Sequence, residues 1–245
     1  EPTIHVGILS STTIEFVLNG EFTCTNGKTY TGNQKAEYKD GKICFDGQNA
    51  TEIIFEPTTE TASFDLIDVV IGINFHWERK ENQRFKGALK IIVEETRHAL
   101  SQQDALSLLT AINHVKVEDY LTSVISSEMS ATASNELLKA HAVISRSWLL
   151  HPIMNLVETH GRASLQENKH IKWYERDAHT HFDVCADDHC QRYQGITRAS
   201  TAAVEKAIEA TRGEVLMFED KICDARFSKS CGGASETFEN CWAPE

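Results

Sequence analysis

The sequence predicts an α+β protein, with a β-rich N-terminal portion followed by a helical core that closes on a β-hairpin. Three observations predict it. Short β-branched and aromatic runs fill the chain as far as about Val117, two helical periodicities occupy Val117 to Leu150, and a third near 200–212 leads into two strand-like runs around Glu219-Asp220.

The strand runs are IHVGIL from Ile4, EFVL from Glu15, KICF from Lys42, EIIF from Glu52, DLIDVVIGINF from Asp65 and ALKIIV from Ala88. Asn19-Gly20, Asn26-Gly27, Asp40-Gly41 and Asp46-Gly47 separate several of them, and such dipeptides adopt the left-handed backbone of tight turns. Arg97 to Asp104 breaks the pattern and predicts a loop or short helical turn. LSLLTAINHVKV, from Leu106, then delivers a strand to Val117.

In VEDYLTSVISSEM, Val117, Leu121, Val124 and Ile125 fall at i, i+4, i+7 and i+8, a stripe that faces a core. Glu128 lies on the same stripe. Partial burial and the negative end of the helix dipole both disfavour its anion, which is what a general acid needs. A helix-end glutamate paired with a neighbouring Lys or Arg explains the position equally, and the helix alone leaves both readings open. The second helix starts after Ser134 as N-cap, with Glu136 in its first turn. Leu137, Ala140, Ile144 and Trp148 are its expected face, while Ala142 and Ser145 keep the neighbouring face thin. Lys139, His141 and Arg146 are its polar groups, and the Arg146 fork suits a carboxylate or the orientation of Glu128.

From His151 to Asp177 the breakers Pro152 and Gly161 and the polar run ENKHIKWYERD predict a loop-rich excursion framing a cleft. Next, HTHFDVCADDHCQRYQG (179–195) gathers His179, His181, Cys185, His189 and Cys190, and thiolate plus imidazole is the ligand set of zinc. The spacing is not that of a common zinc finger. A Cys185–Cys190 disulfide with bystander histidines accounts for the same residues. In the zinc reading, Asp183, Asp187 and Asp188 are acceptors for the imidazole N–H groups. A third helix follows from about Ser200 to Arg212, with Val204, Ala207, Ile208 and Thr211 inward and Gly213 as its stop. EVLMF and KICDARF make the hairpin. In SKSCGGASETFENCW, Cys231-Gly232-Gly233 permits close backbone approach, and Ser230, Glu236 and Trp242 suit a sugar-binding wall.

At 245 residues the chain makes one large or two small domains. A net charge of −12, a pI near 5.4 and no Lys/Arg run exclude a general nucleic-acid binder and favour a neutral or carbohydrate ligand. No apolar run reaches the roughly 18 residues of a transmembrane segment. Glu1-Pro2 opens the chain as a processed product would, without a signal-peptide pattern. The seven cysteines, at 24, 44, 185, 190, 223, 231 and 241, are odd in number, so not all pair internally.

Several of these stretches resemble the stage II sporulation protein D (SpoIID/LytB) family of bacterial cell-wall enzymes. VEDYLTSVISSEM is similar to its "EDYL…V…SEM" segment and LLKAHAVISRSW to its "LKAQAVAARTY" helix. HCQRYQG is similar to "THCQVYxG", and AVEKAIEATRGEVL with SKSCGGASE to its last two motifs. The resemblance is dense over Lys116 to Trp242 and implies a division into a β-rich N-terminal region, 1–84, and a SpoIID-like catalytic domain, 85–245. Ser130 departs from it, standing where the family has proline.

The implied activity is that of a lytic transglycosylase cutting the β-1,4 bond between N-acetylmuramic acid and N-acetylglucosamine in peptide-stripped peptidoglycan, with Glu128 as catalytic residue. Hydrolytic glycosidases use two carboxylates. A transglycosylase that closes a 1,6-anhydro ring works with one. The resemblance further implies a structural zinc on Cys185 and Cys190 with His179 and His189, and a groove lined by Arg146, Gln191, Tyr193, Ser230 and Glu236. Its implied partners are peptidoglycan glycan strands and a peptidoglycan amidase, in an extracytoplasmic location in a bacterium. The alternative is a non-catalytic glycan-binding enhancer of that amidase. A zinc hydrolase ranks last, since no HExxH helix is present.

Overall fold

A computed structural model describes residues 1–73, 76–95, 107–128, 132–155, 179–197, 200–228, 230–235, 237 and 240. Ten strands come first among them: β1 (Thr3–Ser11), β2 (Thr13–Cys24), β3 (Thr29–Lys39), β4 (Lys42–Phe45), β5 (Gln48–Ala50), β6 (Glu52–Pro57), β7 (Ser63–Ile71), β8 (Arg79–Lys86), β9 (Ala88–Glu95) and β10 (Ser107–Lys116). Then come α1 (Val117–Glu128), α2 (Asn135–Asn155), β11 (Val184–Cys185), α3 (Ala202–Ala210) and the hairpin β12 (Met217–Phe218) and β13 (Lys221–Ile222). The protein is therefore α+β with a β-rich N-terminal portion.

The strands form an eleven-stranded sheet in the order β11-β1-β10-β9-β6-β2-β3-β4-β5, with β7 on β2 and β8 on β7. β1, from the start of the chain, lies between β10 and β11, and the boundary expected at 84/85 falls inside β8. Ile4, Val6, Leu89, Ile91, Leu109, Ala111 and Val115 share one core with Val117, Tyr120, Leu121, Val124 and Ile125 of α1. Each buried valine, leucine or isoleucine among them contributes about 1.5–3 kcal/mol.

Asp40-Gly41 and Asp46-Gly47 make the expected turns, with positive φ at both residues of each pair. Asn19-Gly20 does not. It sits inside β2 as an irregularity between Leu18 and Phe22, with Gly20 at φ 116°, and the inward series Ile14, Phe16, Leu18, Phe22, Cys24 continues across it. β3, β5 and β8 are additional to the expected strands. β3 buries only Ala36, and β8 only Gln83 and Phe85, so polar outward faces hide their alternation.

α2 starts as expected, with Ser134 Oγ accepting the Leu137 N–H at 3.3 Å. Its buried line is Leu138, His141, Ala142, Ser145, Arg146 and Leu149, while Leu137 is 48% exposed. This corrects the expected face. Both sides of α2 are partly apolar, and the small Ala142 and Ser145 let the other elements approach on theirs. The helix also runs past Pro152 to Asn155, further than the breaker suggests. α3 is capped by Thr201 and buries Val204, Ala207 and Ile208, and Gly213 stops it at φ 74°. Glu219 and Asp220, both at positive φ, turn the β12–β13 hairpin. The loop expected at Arg97 to Asp104 and the excursion beyond Asn155 lie outside the described residues.

Candidate active site and metal centre

Both ends of α1 carry a carboxylate, and the fold treats them differently. At the first turn, buried Glu118 accepts from Arg146 Nε at 3.1 Å and Nη2 at 2.6 Å and from the Gly213 N–H at 3.2 Å. Arg146 Nη1 donates to the Glu214 carbonyl at 3.0 Å. This knot ties α1, α2 and the end of α3. At the last turn, half-buried Glu128 accepts the backbone N–H of Arg192 on Oε1 at 2.7 Å, and among the described residues no Lys or Arg side chain forms an ion pair with it.

Residues 191–193 present their side chains alternately, as extended backbone does. Inward, Gln191 accepts from Tyr120 Oη at 3.2 Å and donates to the Ser145 carbonyl at 3.3 Å. Tyr193 donates to Asn113 Oδ1 at 2.7 Å and stacks on Tyr120 with ring centroids 5.0 Å apart; burial pushes its hydroxyl well above the ordinary tyrosine range. Outward, Arg192 forks onto Asp188 through Nε at 2.8 Å and Nη2 at 2.7 Å. Its guanidinium lies 4.9 Å from the centre of the Trp77 ring.

His179, Cys185, His189 and Cys190 bring their ligand atoms within 4.8 Å of one another. Cys190 Sγ is 3.4 Å from both His179 Nε2 and His189 Nδ1, and Cys185 Sγ is 3.8 Å from His189 Nδ1. Tetrahedral zinc with Zn–S and Zn–N bonds of roughly 2.0–2.3 Å has ligand-to-ligand edges of about 3.5 Å, so the group fits. Neither cysteine is in a disulfide. Cys190, with His179 and His189, holds the Cys185 thiol down at about 2 against the opposing effect of burial. His181 is exposed and is not one of the four clustered ligands. The loop is fixed to β1 by Asp183 N–H to the His5 carbonyl at 2.9 Å and by β11 pairing with Val6 and Gly7; a Cβ on Gly7 would overlap the Phe182 ring. Asp183 and Asp188 serve the His5 N–H and Arg192, not the imidazoles.

The structure brings Glu128 and the Cys/His cluster to one segment, since Cys190 precedes Arg192 by two residues. It corrects the expected groove. Arg146, Gln191 and Tyr193 are 1–2% exposed and satisfied internally, so they support the site and do not line it. Ser230 is exposed, its Oγ accepting the Gly232 N–H at 3.4 Å, and Glu236 lies outside the described residues. The sequence reading missed Glu118, Arg192 and Trp77, and gave Asp188 to an imidazole where it serves Arg192. The Asp188/Arg192 spacing at i, i+4 was a visible signal. Trp77, more than a hundred residues away, offered none.

A family model described as stage II sporulation protein (SpoIID) matches residues 106–218. An uncharacterized protein of Brachyspira hyodysenteriae is 29% identical over 132 residues, 54% of this chain and 30% of that protein. The stage II sporulation protein D of Bacillus amyloliquefaciens is 23% identical over 133 residues, and that of Bacillus subtilis 21% over 134, each match covering 54% of this chain and 36% of the relative. The chain thus spans about a third of the length of these relatives. No solved structure matches it. The stretch similar to the stage II sporulation protein D (SpoIID) family, residues 106–218, holds both of the long helices, Glu128 and the Cys/His cluster.

Proposed function

We propose that this protein is a lytic transglycosylase that cleaves the bond between N-acetylmuramic acid and N-acetylglucosamine in peptide-stripped peptidoglycan and releases 1,6-anhydro ends. The observation that carries the reading is Glu128, half-buried at the end of α1, with one oxygen held by a neutral N–H. Its other oxygen remains for chemistry. Glu128 protonates the glycosidic oxygen as the C1–O bond breaks. The resulting carboxylate takes the proton of the muramic acid 6-hydroxyl as that oxygen bonds to C1, which closes the anhydro ring, consumes no water and restores the acid. The Arg192 N–H keeps the carboxyl oriented through both steps.

His179, Cys185, His189 and Cys190 would hold zinc, and with four protein ligands its role is to rigidify the segment that carries the Arg192 N–H. No helix among the described residues is long and apolar enough to cross a membrane. The substrate places the protein in the bacterial envelope, outside the cytoplasmic membrane, where an amidase that strips stem peptides is its natural partner.

The test is mass spectrometry of glycan strands digested by the wild type and by Glu128→Gln. Anhydro ends from the wild type, and a rate lower by about 10²- to 10⁴-fold in the variant, are expected. Reducing ends would replace the mechanism with hydrolysis by a second carboxylate, Glu236 first. A wild type that cuts nothing but accelerates an amidase, as Glu128→Gln then also does, would make the protein an accessory glycan binder.

A further inference from the structure

The β7–β8 connection belongs to the N-terminal β-rich region, outside the residues that match the family model, yet it reaches the Glu128 site. Its Trp77 lies against Arg192, whose own N–H holds Glu128. The approach is built in at both partners. Gly72, at φ 70°, leaves room that the Trp77 ring fills, and a Cβ there would overlap that ring. Alongside, Ile196 donates to the Arg84 carbonyl and Arg84 N–H to Thr197 Oγ1, both at 2.7 Å, and a Cβ on Gly195 would meet the Arg84 carbonyl. The segment that carries Arg192 is therefore stitched to β8.

A guanidinium has two edges that match a carboxylate. The Nε/Nη2 edge of Arg192 is taken by Asp188. Among the described residues its Nη1/Nη2 edge meets no further acceptor, and the side chain is 33% exposed. Asp188 and Trp77 together hold the fork in one plane, so little rotamer entropy is left to lose when that edge is used.

We propose that the outer edge of Arg192, framed by Trp77 of the β7–β8 connection, is a subsite for a sugar unit that carries a carboxylate. On the glycan reading above, on which this rests, the group is the lactyl carboxylate on C3 of muramic acid. That carbon belongs to the same ring as the C1 that Glu128 serves. The hexosamine lacking the lactyl group offers no anion to the fork, and a stem peptide converts the carboxylate to an amide. Arg192 is then the residue that sets which ring enters beside Glu128.

The experiment compares two preparations of peptide-free glycan strands, one with its carboxylates intact and one with them converted to methylamides. Binding is measured to Glu128→Gln, so that cleavage does not intervene, with and without added changes at Arg192 and Trp77. A bidentate contact to a charged group predicts roughly tenfold tighter binding of the carboxylate strands. Arg192→Gln should bind both preparations alike, Arg192→Lys should keep part of the preference through charge alone, and Trp77→Leu should reduce it. Equal binding of the two preparations by the Arg192 protein, or a preference surviving in Arg192→Gln, overturns the subsite. So does failure to bind either preparation. Anhydro ends without carboxylate preference would remove the subsite and leave the transglycosylase; preference without anhydro ends would do the reverse.

Discussion

Glu118 and Glu128 stand at opposite ends of one helix, each held by a segment that follows it in sequence, and their partners differ in kind. Glu118 meets the whole fork of Arg146, which is 1% exposed, and accepts a backbone N–H as well. Its charge is matched and its oxygens are occupied. Glu128 receives one hydrogen bond from a neutral donor, while the nearby Arg192 spends its charge on Asp188. A carboxylate answered by a buried guanidinium has both oxygens taken up in holding elements together. One fixed by a single peptide N–H is aimed by that contact and keeps its second oxygen for another partner.

That contrast can be broken in three places, beginning with the metal. Structural zinc binds with free energies on the order of 10 kcal/mol, so chelation should cost more stability than any substitution discussed below. The purified protein should contain about one zinc per chain by elemental analysis. Cys190→Ser should lower metal content and melting temperature together, with faster hydrogen exchange at the Arg192 N–H and little change around Glu118. Metal-free protein with an intact melting transition would remove zinc from the account.

The two glutamates come next. Glu118→Gln leaves the buried Arg146 charge without its anion and should cost about 3–5 kcal/mol in chemical denaturation. Glu128→Gln should cost less than about 1 kcal/mol, because a half-buried amide oxygen still accepts the Arg192 N–H. Equal losses would mean that both residues are structural.

A pH dependence at His141, absent at neutral pH and growing only in acid, comes last. This histidine is 1% exposed, neither nitrogen has a hydrogen-bond partner among the described residues, and its ring packs edge-to-face with Phe227, centroids 5.0 Å apart. Burial pushes it down to about 4, so it is neutral in the folded chain and takes its ordinary value near 6.5 in the unfolded one. Between those values the unfolded chain binds more protons. Stability should therefore fall as pH drops from about 6.5 to 4, by up to about 3 kcal/mol from this residue, and His141→Leu should flatten the profile. A slope unchanged by the substitution would locate the titration elsewhere, with His114, which burial also pushes down to about 4, first in line.

The amino-acid sequence by itself determined the elements whose signals are local. The stripe through Val117, Leu121, Val124 and Ile125, the Ser134 cap, the Gly213 stop and the Asp-Gly turns depend on residues a few positions apart, and each stands where the pattern put it. The Cys/His cluster was legible for the same reason, since its ligands lie within one short loop. Only the tertiary structure decided what depends on distant partners. It chose which apolar side of α2 to bury, because both sides had enough hydrocarbon and neighbouring elements made the difference. It gave Arg146 to Glu118 and turned Gln191 and Tyr193 inward, because satisfying buried polar groups takes precedence over lining a groove. It also carried Trp77 from an unmatched hairpin to the side of Arg192. Periodicity along a chain reports which face is apolar, whereas the pairing of polar groups across the fold is set by which surfaces meet, and that is fixed only once the whole sheet has formed.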